Sequence, residues 1–157
     1  MAVHILSIHD ESPDRKVLAI DLKEILAALG DAVDRHRFCI LDIEATGDGA
    51  AGLYERLSAA PGGKLWVSAE ELRGLAARLT QTIDAQIAGY PTEQLSVTLL
   101  PEDMRLAAFP QNRMGIVIAA VDSTYFEVYL KDAALADRVA AAFRQVKRAD
   151  PAVYFSP

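Results

Sequence analysis

The sequence predicts an α+β domain: a mixed β-sheet with a C-terminal antiparallel hairpin, packed by about three amphipathic helices. Three observations carry this reading. Early on, the apolar run Val3–Ile8 is followed by Leu22, Ile25, Leu26, Leu29 and Val33, which recur at helical spacing. Later, two apolar runs, Gly115–Val121 and Tyr125–Leu130, are separated by the turn-forming Asp122-Ser123-Thr124. The chain has 157 residues, 52% apolar and 24% charged, enough for one domain over 1–157 with a core that needs no disulfide or structural metal.

Val3–Ile8 is β-prone and makes the first strand. Within Lys16–Asp21, the residues Val17, Leu18 and Ile20 fit either a helix or a short strand. The helix from Leu22 ends between Gly30 and Asp34. Phe38–Glu44 reads as a strand with Cys39, Leu41 and Ile43 on one apolar face. Its other face, Phe38, Ile40, Asp42 and Glu44, passes from buried to wet. Residues 46–52 form a loop, and Leu53–Ala59 is a short helix stopped by Pro61-Gly62-Gly63.

Ser68 and Glu71 have the spacing of a capping box, followed by the stripe Leu72, Leu75, Ala76, Leu79, Ile83 and Ile87; a long helix ending near Gly89 and Pro91 is expected. Trp66, just before it, reads as a core anchor. Gln94–Leu100 reads as a strand, and Pro101–Arg113 as irregular, with Phe109-Pro110-Gln111-Asn112 at an exposed tip. Gly115–Val121 is apolar on both faces, as in a central strand. Ala133–Val146 forms the last helix, and Val153, Tyr154 and Phe155 of the tail dock on the body.

Sixteen basic residues against 22 acidic ones give a net charge of −6, which argues against a general polyanion binder. The basic residues Arg138, Arg144, Lys147 and Arg148 follow Asp132 and Asp137 on the expected last helix, as its dipole favours. Cys39 is alone, which excludes an intramolecular disulfide and a Cys-rich metal site, and it reads as a core residue. His4, His9 and His36 lack metal-ligand spacing. No apolar run reaches the roughly 20 residues that span a bilayer. Met1–His4 lacks the basic-then-apolar order of a secretory signal, so a soluble cytoplasmic protein is expected.

Two motifs share one stretch. Asp42-Ile43-Glu44-Ala45-Thr46-Gly47 resembles the first motif of the DEDD-type 3′–5′ exonucleases, a family in which strand-borne carboxylates hold divalent metals. The resemblance implies Mg²⁺ on Asp42 and Glu44. The family's later motifs have no counterpart: the nearest acids are Asp84 and Asp137, and Asp132 stands where a histidine belongs. Gly47, Gly49 and Gly52 also satisfy GxGxxG, with Glu70 and Glu71 near the ribose-ligand distance. Glu44 and Asp48, however, put negative charge where a pyrophosphate would sit. Ser7, Ser12, Ser123 and His9-Asp10 lie in no nucleophile motif.

Two functions follow as expectations. The first is a non-catalytic, cofactor-free protein-binding domain, of inhibitor or immunity type, that takes a basic protein or a second copy of itself, with no membrane or nucleic-acid partner. Its surface is Tyr125, Glu127 and Tyr129, presented outward if Phe126, Val128 and Leu130 point inward. The competing placement buries that face beneath Tyr154 and Phe155. The second is a nuclease-like hydrolase with Mg²⁺ held by Asp42 and Glu44, completed by Asp10 or Asp122.

Overall fold

A computed structural model describes residues 2–12, 18–94 and 98–155. The chain runs through β1 (His4–Ile8), α1 (Leu22–Leu29), β2 (His36–Thr46), α2 (Ala50–Ala59), β3 (Leu65–Val67), α3 (Ala69–Ala77), β4 (Gln81–Pro91), β5 (Ile116–Val121), β6 (Tyr125–Leu130), α4 (Ala133–Ala142), β7 (Val146–Ala149) and α5 (Pro151–Tyr154). The expected strand at Gln94–Leu100 lies across residues 95–97, outside the described ones, as does Val17.

The fold is α+β, as the sequence predicts. The seven strands form one sheet in the order β3-β2-β4-β5-β6-β1-β7. Each of its pairings is antiparallel, where a mixed sheet was expected. The reason lies in the connections. The helical link through α1 leads from β1 to β2, four places away, so it joins no parallel neighbours of the kind a βαβ crossover makes.

Helices α1 to α4 cover one sheet face. Leu22, Ile25, Leu26 and Leu29 of α1, Leu53 of α2, Leu72 of α3 and Val139 of α4 pack with Leu6, Ile8, Phe38, Ile40, Ile87, Ile118 and Val128 of the strands. Asp21 ties the start of α1 to the sheet: its carboxylate accepts the Thr82 amide at 2.7 Å and the Thr82 hydroxyl at 3.0 Å. Thr82 is buried, so these bonds satisfy two groups that water does not reach.

The capping box of α3 is formed, with the Glu71 amide donating to Ser68 Oγ at 3.1 Å. Yet α3 ends at Ala77, and Ile83 and Ile87 belong to β4. Their spacing of four fits one helical turn and two strand repeats alike, so the stripe cannot tell them apart. What decides is pairing: the Thr80 amide donates to the Thr46 carbonyl at 2.8 Å, and β2 captures the chain. The last helix is shorter than expected for a similar reason. The amides of Arg144 and Gln145 donate to the Asp10 carboxylate, and Val146–Ala149 then pairs with β1. Arg144, Lys147 and Arg148 therefore lie beyond the helix, and the expected dipole arrangement does not form.

Strand β2 is bulged at Leu41, where the register steps from Ile40 opposite Ile87 to Asp42 opposite Gln86. The extra residue exchanges the two faces. Phe38, Ile40, Ile43 and Ala45 lie on the helix side, whereas Cys39 and Leu41 belong to the other side. The expected grouping of Ile43 with Cys39 and Leu41 is thus corrected. A second step, at Ile83 of β4, sits opposite the gap between Glu44 and Ala45.

Candidate functional site

The sheet face away from the helices is built from two adjacent rows of side chains. Register places Trp66, Cys39, Ala88, Val117, Tyr129, Ile5 and Ala149 in one row, crossing all seven strands. That row is apolar and is roofed by Phe109, Met114 and Phe155. The next row reads Asp42, Gln86, Ala119, Glu127, Ser7 and Lys147, and polar groups dominate it. Beyond it lie Glu44 opposite Asp84, and Tyr125 with His9 stacked on it at 4.8 Å between ring centroids.

The roof corrects the expected exposed tip. Phe109 is fully buried, edge-on to Tyr129 at 6.0 Å and stacked with Phe155 at 6.2 Å, while Lys131 Nζ lies over its ring at 4.7 Å. Asn112, also buried, donates to the Arg105 carbonyl at 2.9 Å and accepts the Met114 amide at 3.0 Å. Trp66 is a half-buried member of this layer, 5.3 Å from Tyr90, with the Arg37 guanidinium over it at 5.7 Å.

The three hairpin residues, expected to face solvent together, are separated by the tail. Tyr129 is 3% exposed and Glu127 8%, because α5 and Phe155 lie over them. Glu127 is the boundary between the rows: its carboxylate accepts the Tyr129 hydroxyl at 3.2 Å and the Tyr154 hydroxyl at 2.7 Å. Tyr125 alone stays half-exposed.

The hydrogen bond to Glu127, aided by burial and the carboxylate charge, holds the Tyr154 phenol up at about 12. Folding thus favours the neutral phenol. The contact contributes fully below the ordinary tyrosine range near pH 10 and is lost as pH rises towards about 12. Following the Tyr154 ring by NMR should show late ionisation that returns towards about 10 in Glu127→Gln. A late step retained in that variant would contradict the assignment.

The four carboxylates of the hydrolase expectation do not converge. Asp10 stands past the end of β1, four strand spacings or about 19 Å from β2, and its carboxylate is filled by main-chain amides. Asp42 and Glu44 project from β2 on the open face, and both are exposed. Asp122 follows β5, its amide donating to Asp84 Oδ1 at 2.8 Å. Among the described residues no group of three His, Cys, Asp or Glu side chains is placed to hold a metal. What the strand instead brings together is Asp42, Glu44, Asp84 and Asp122, and none of them has a cationic partner among the described residues. Asp84 and Gln86 were hidden by the helical reading of Leu79–Ile87; their spacing of two would have placed them beside Asp42 and Glu44 once β4 was seen as a strand.

The glycine-rich motif has a packing explanation. Gly47, at φ +118°, lies so close to the chain at Arg78–Thr80 that a Cβ would run into the Thr80 amide nitrogen. At Gly49 a Cβ would come within 2.9 Å of the Arg78 Cβ, and the Gly49 amide already donates to the Arg78 carbonyl at 3.1 Å. The cradle is thus filled by the protein's own backbone. Gly47→Ala should lower stability by about 2–3 kcal/mol in urea titration, from left-handed strain plus the clash. A wild-type midpoint would show that the crossing can open freely. Cys39 is buried, and burial pushes its thiol up to about 11, away from nucleophilic chemistry.

No protein-family model, curated protein or solved structure matches the chain. Among the described residues no helix is long and apolar enough to cross a membrane.

Proposed function

We propose that the protein is a non-catalytic binding domain whose open sheet face docks a partner protein rich in lysine and arginine. The observation that carries this reading is the uncompensated acid on that face. Glu44 and Asp84 stand directly opposite each other across β2 and β4, an arrangement of like charges that costs stability. Asp42 and Asp122 add to the same field, and none of the four acids is in an ion pair among the described residues. A cationic partner would turn that repulsion into attraction and speed encounter at low salt. Around the acids, half-buried Ala119, Val121 and Tyr125 supply the apolar area that interface centres use. An inhibitor or immunity-type role rests on the same chemistry, an acidic face masking a basic site.

The test compares the wild type with Asp42→Asn/Glu44→Gln/Asp84→Asn as bait for proteins of the source cell, at low and high salt. Support is a basic protein held by the wild type, lost from the triple variant and released by salt. Identical captures on both baits would sink the reading. So would an NMR footprint of the captured protein that maps to the helix side.

A further inference from the structure

At the end of the sheet opposite the acidic corner, a cleft of about 470 Å³ opens between the turn after α1, the end of β4 and the start of α4. Its volume lies in the range of small-ligand sites. Lys131 projects there from the end of β6. Lys131 is half-buried, and its ammonium donates to the Asn112 carbonyl at 2.5 Å, lies over the Phe109 ring at 4.7 Å and has no carboxylate within ion-pair distance among the described residues. Asp103, the acid that acts on it, is already engaged by the amide of Leu100 at 2.8 Å and by Arg113 at 3.7 Å. Burial lowers the lysine to about 8, which marks an ammonium short of counter-charge yet still protonated at neutral pH.

The other charges in the cleft leave room for an anion. Arg113 flanks Lys131, and its Asp103 contact at 3.7 Å is too long for a strong pair. Of the two acids on the rim, Asp132 is occupied in capping α4, accepting the Leu135 amide at 3.0 Å, and Glu93 is exposed. Pro91 and the edge of Leu135 supply an apolar wall. We propose that this cleft binds a small amphipathic carboxylate, with its head on Lys131 and Arg113 and its hydrocarbon against Pro91 and Leu135. In a chain of net charge −6, a half-buried cation that lines a cleft and has no acid partner among the described residues is placed for a ligand rather than for general solubility.

The full ¹⁵N-labelled chain is titrated with sodium hexanoate, with inorganic phosphate in a parallel arm. The expected result is saturable shifts of the Gly115 and Lys131 amides, with an affinity of about 1 mM and phosphate at least tenfold weaker. Lys131→Gln should weaken hexanoate about tenfold while Lys131→Arg stays within about threefold, since the charge is kept. Should Lys131→Gln lose its dispersed spectrum, Arg113→Gln decides, with an expected loss of about threefold. Shifts that remain linear to about 20 mM, that map to another surface, or that are unchanged in the glutamine variants overturn the proposal. Phosphate binding as tight as hexanoate overturns the amphipathic assignment.

Discussion

Deleting Ile43 is expected to unfold the protein, whereas deleting Leu41, two residues earlier in the same strand, leaves it folded. The contrast comes from the bulge. Leu41 is the extra residue in β2; without it, Ile40 and Asp42 become neighbours and the faces still alternate correctly. Without Ile43 the strand has two ways to close the gap. If the bulge stays, Glu44 moves onto the helix side; if the bulge is absorbed, Asp42 does. Either way a carboxylate enters the site that Ile43 now fills at 5% exposure. Losing the isoleucine and burying an unpaired acid together cost more than about 5 kcal/mol, comparable to the whole stability of a domain. Circular dichroism and urea titration of the two deletions read this directly. An Ile43 deletion that folds like the wild type would mean that register in β2 is not set by its two faces.

Phe109→Ala should lower stability by about 3–5 kcal/mol, the usual range for emptying a buried phenylalanine site. The ring is the centre of the roof: it joins Tyr129 and Lys131 at the end of β6 to Phe155 of the tail. Removing it uncovers the apolar row as well as leaving a void, so dye binding to exposed apolar surface should rise with the loss of stability. Gln111, two residues on and exposed, provides the control, and its alanine variant should fall within about 0.5 kcal/mol of wild type. Equal effects at the two positions would place Phe109 outside the core.

How much of this was legible in the sequence depends on which residues decide each feature. The α+β class, the hairpin of β5 and β6, and the starts of α1 and α3 are written in local signals: apolar period, turn residues and the Ser68–Glu71 cap. The end of α3 is not, because Leu79, Ile83 and Ile87 satisfy both periods and only pairing with β2 separates them. The bulge at Leu41 is invisible for the same reason. Simple alternation puts Asp42 with Phe38 and Ile40, and the exchange of faces appears only when Gln86 is known to stand opposite it. The carboxylates at 42 and 44 were recognisable as a feature of one strand; their neighbours Asp84 and Asp122 come from β4 and the turn after β5, which only the sheet order brings beside them. The tail's cover over Glu127 and Tyr129 was one of two placements open at the level of sequence, and the Tyr154–Glu127 hydrogen bond shows which one the chain takes.

The position of β1 also has a temporal consequence. Its partners are β6 and β7, so residues 4–8 find their neighbours only after residues 125–149 have been made. During synthesis the apolar stretch His4–Ile8 therefore waits for more than a hundred further residues without its ladder, and the sheet is completed last between β6 and β7. A nascent chain stalled before residue 125 should hold β1 accessible to chaperones, and release should close the sheet by insertion of its first-made strand.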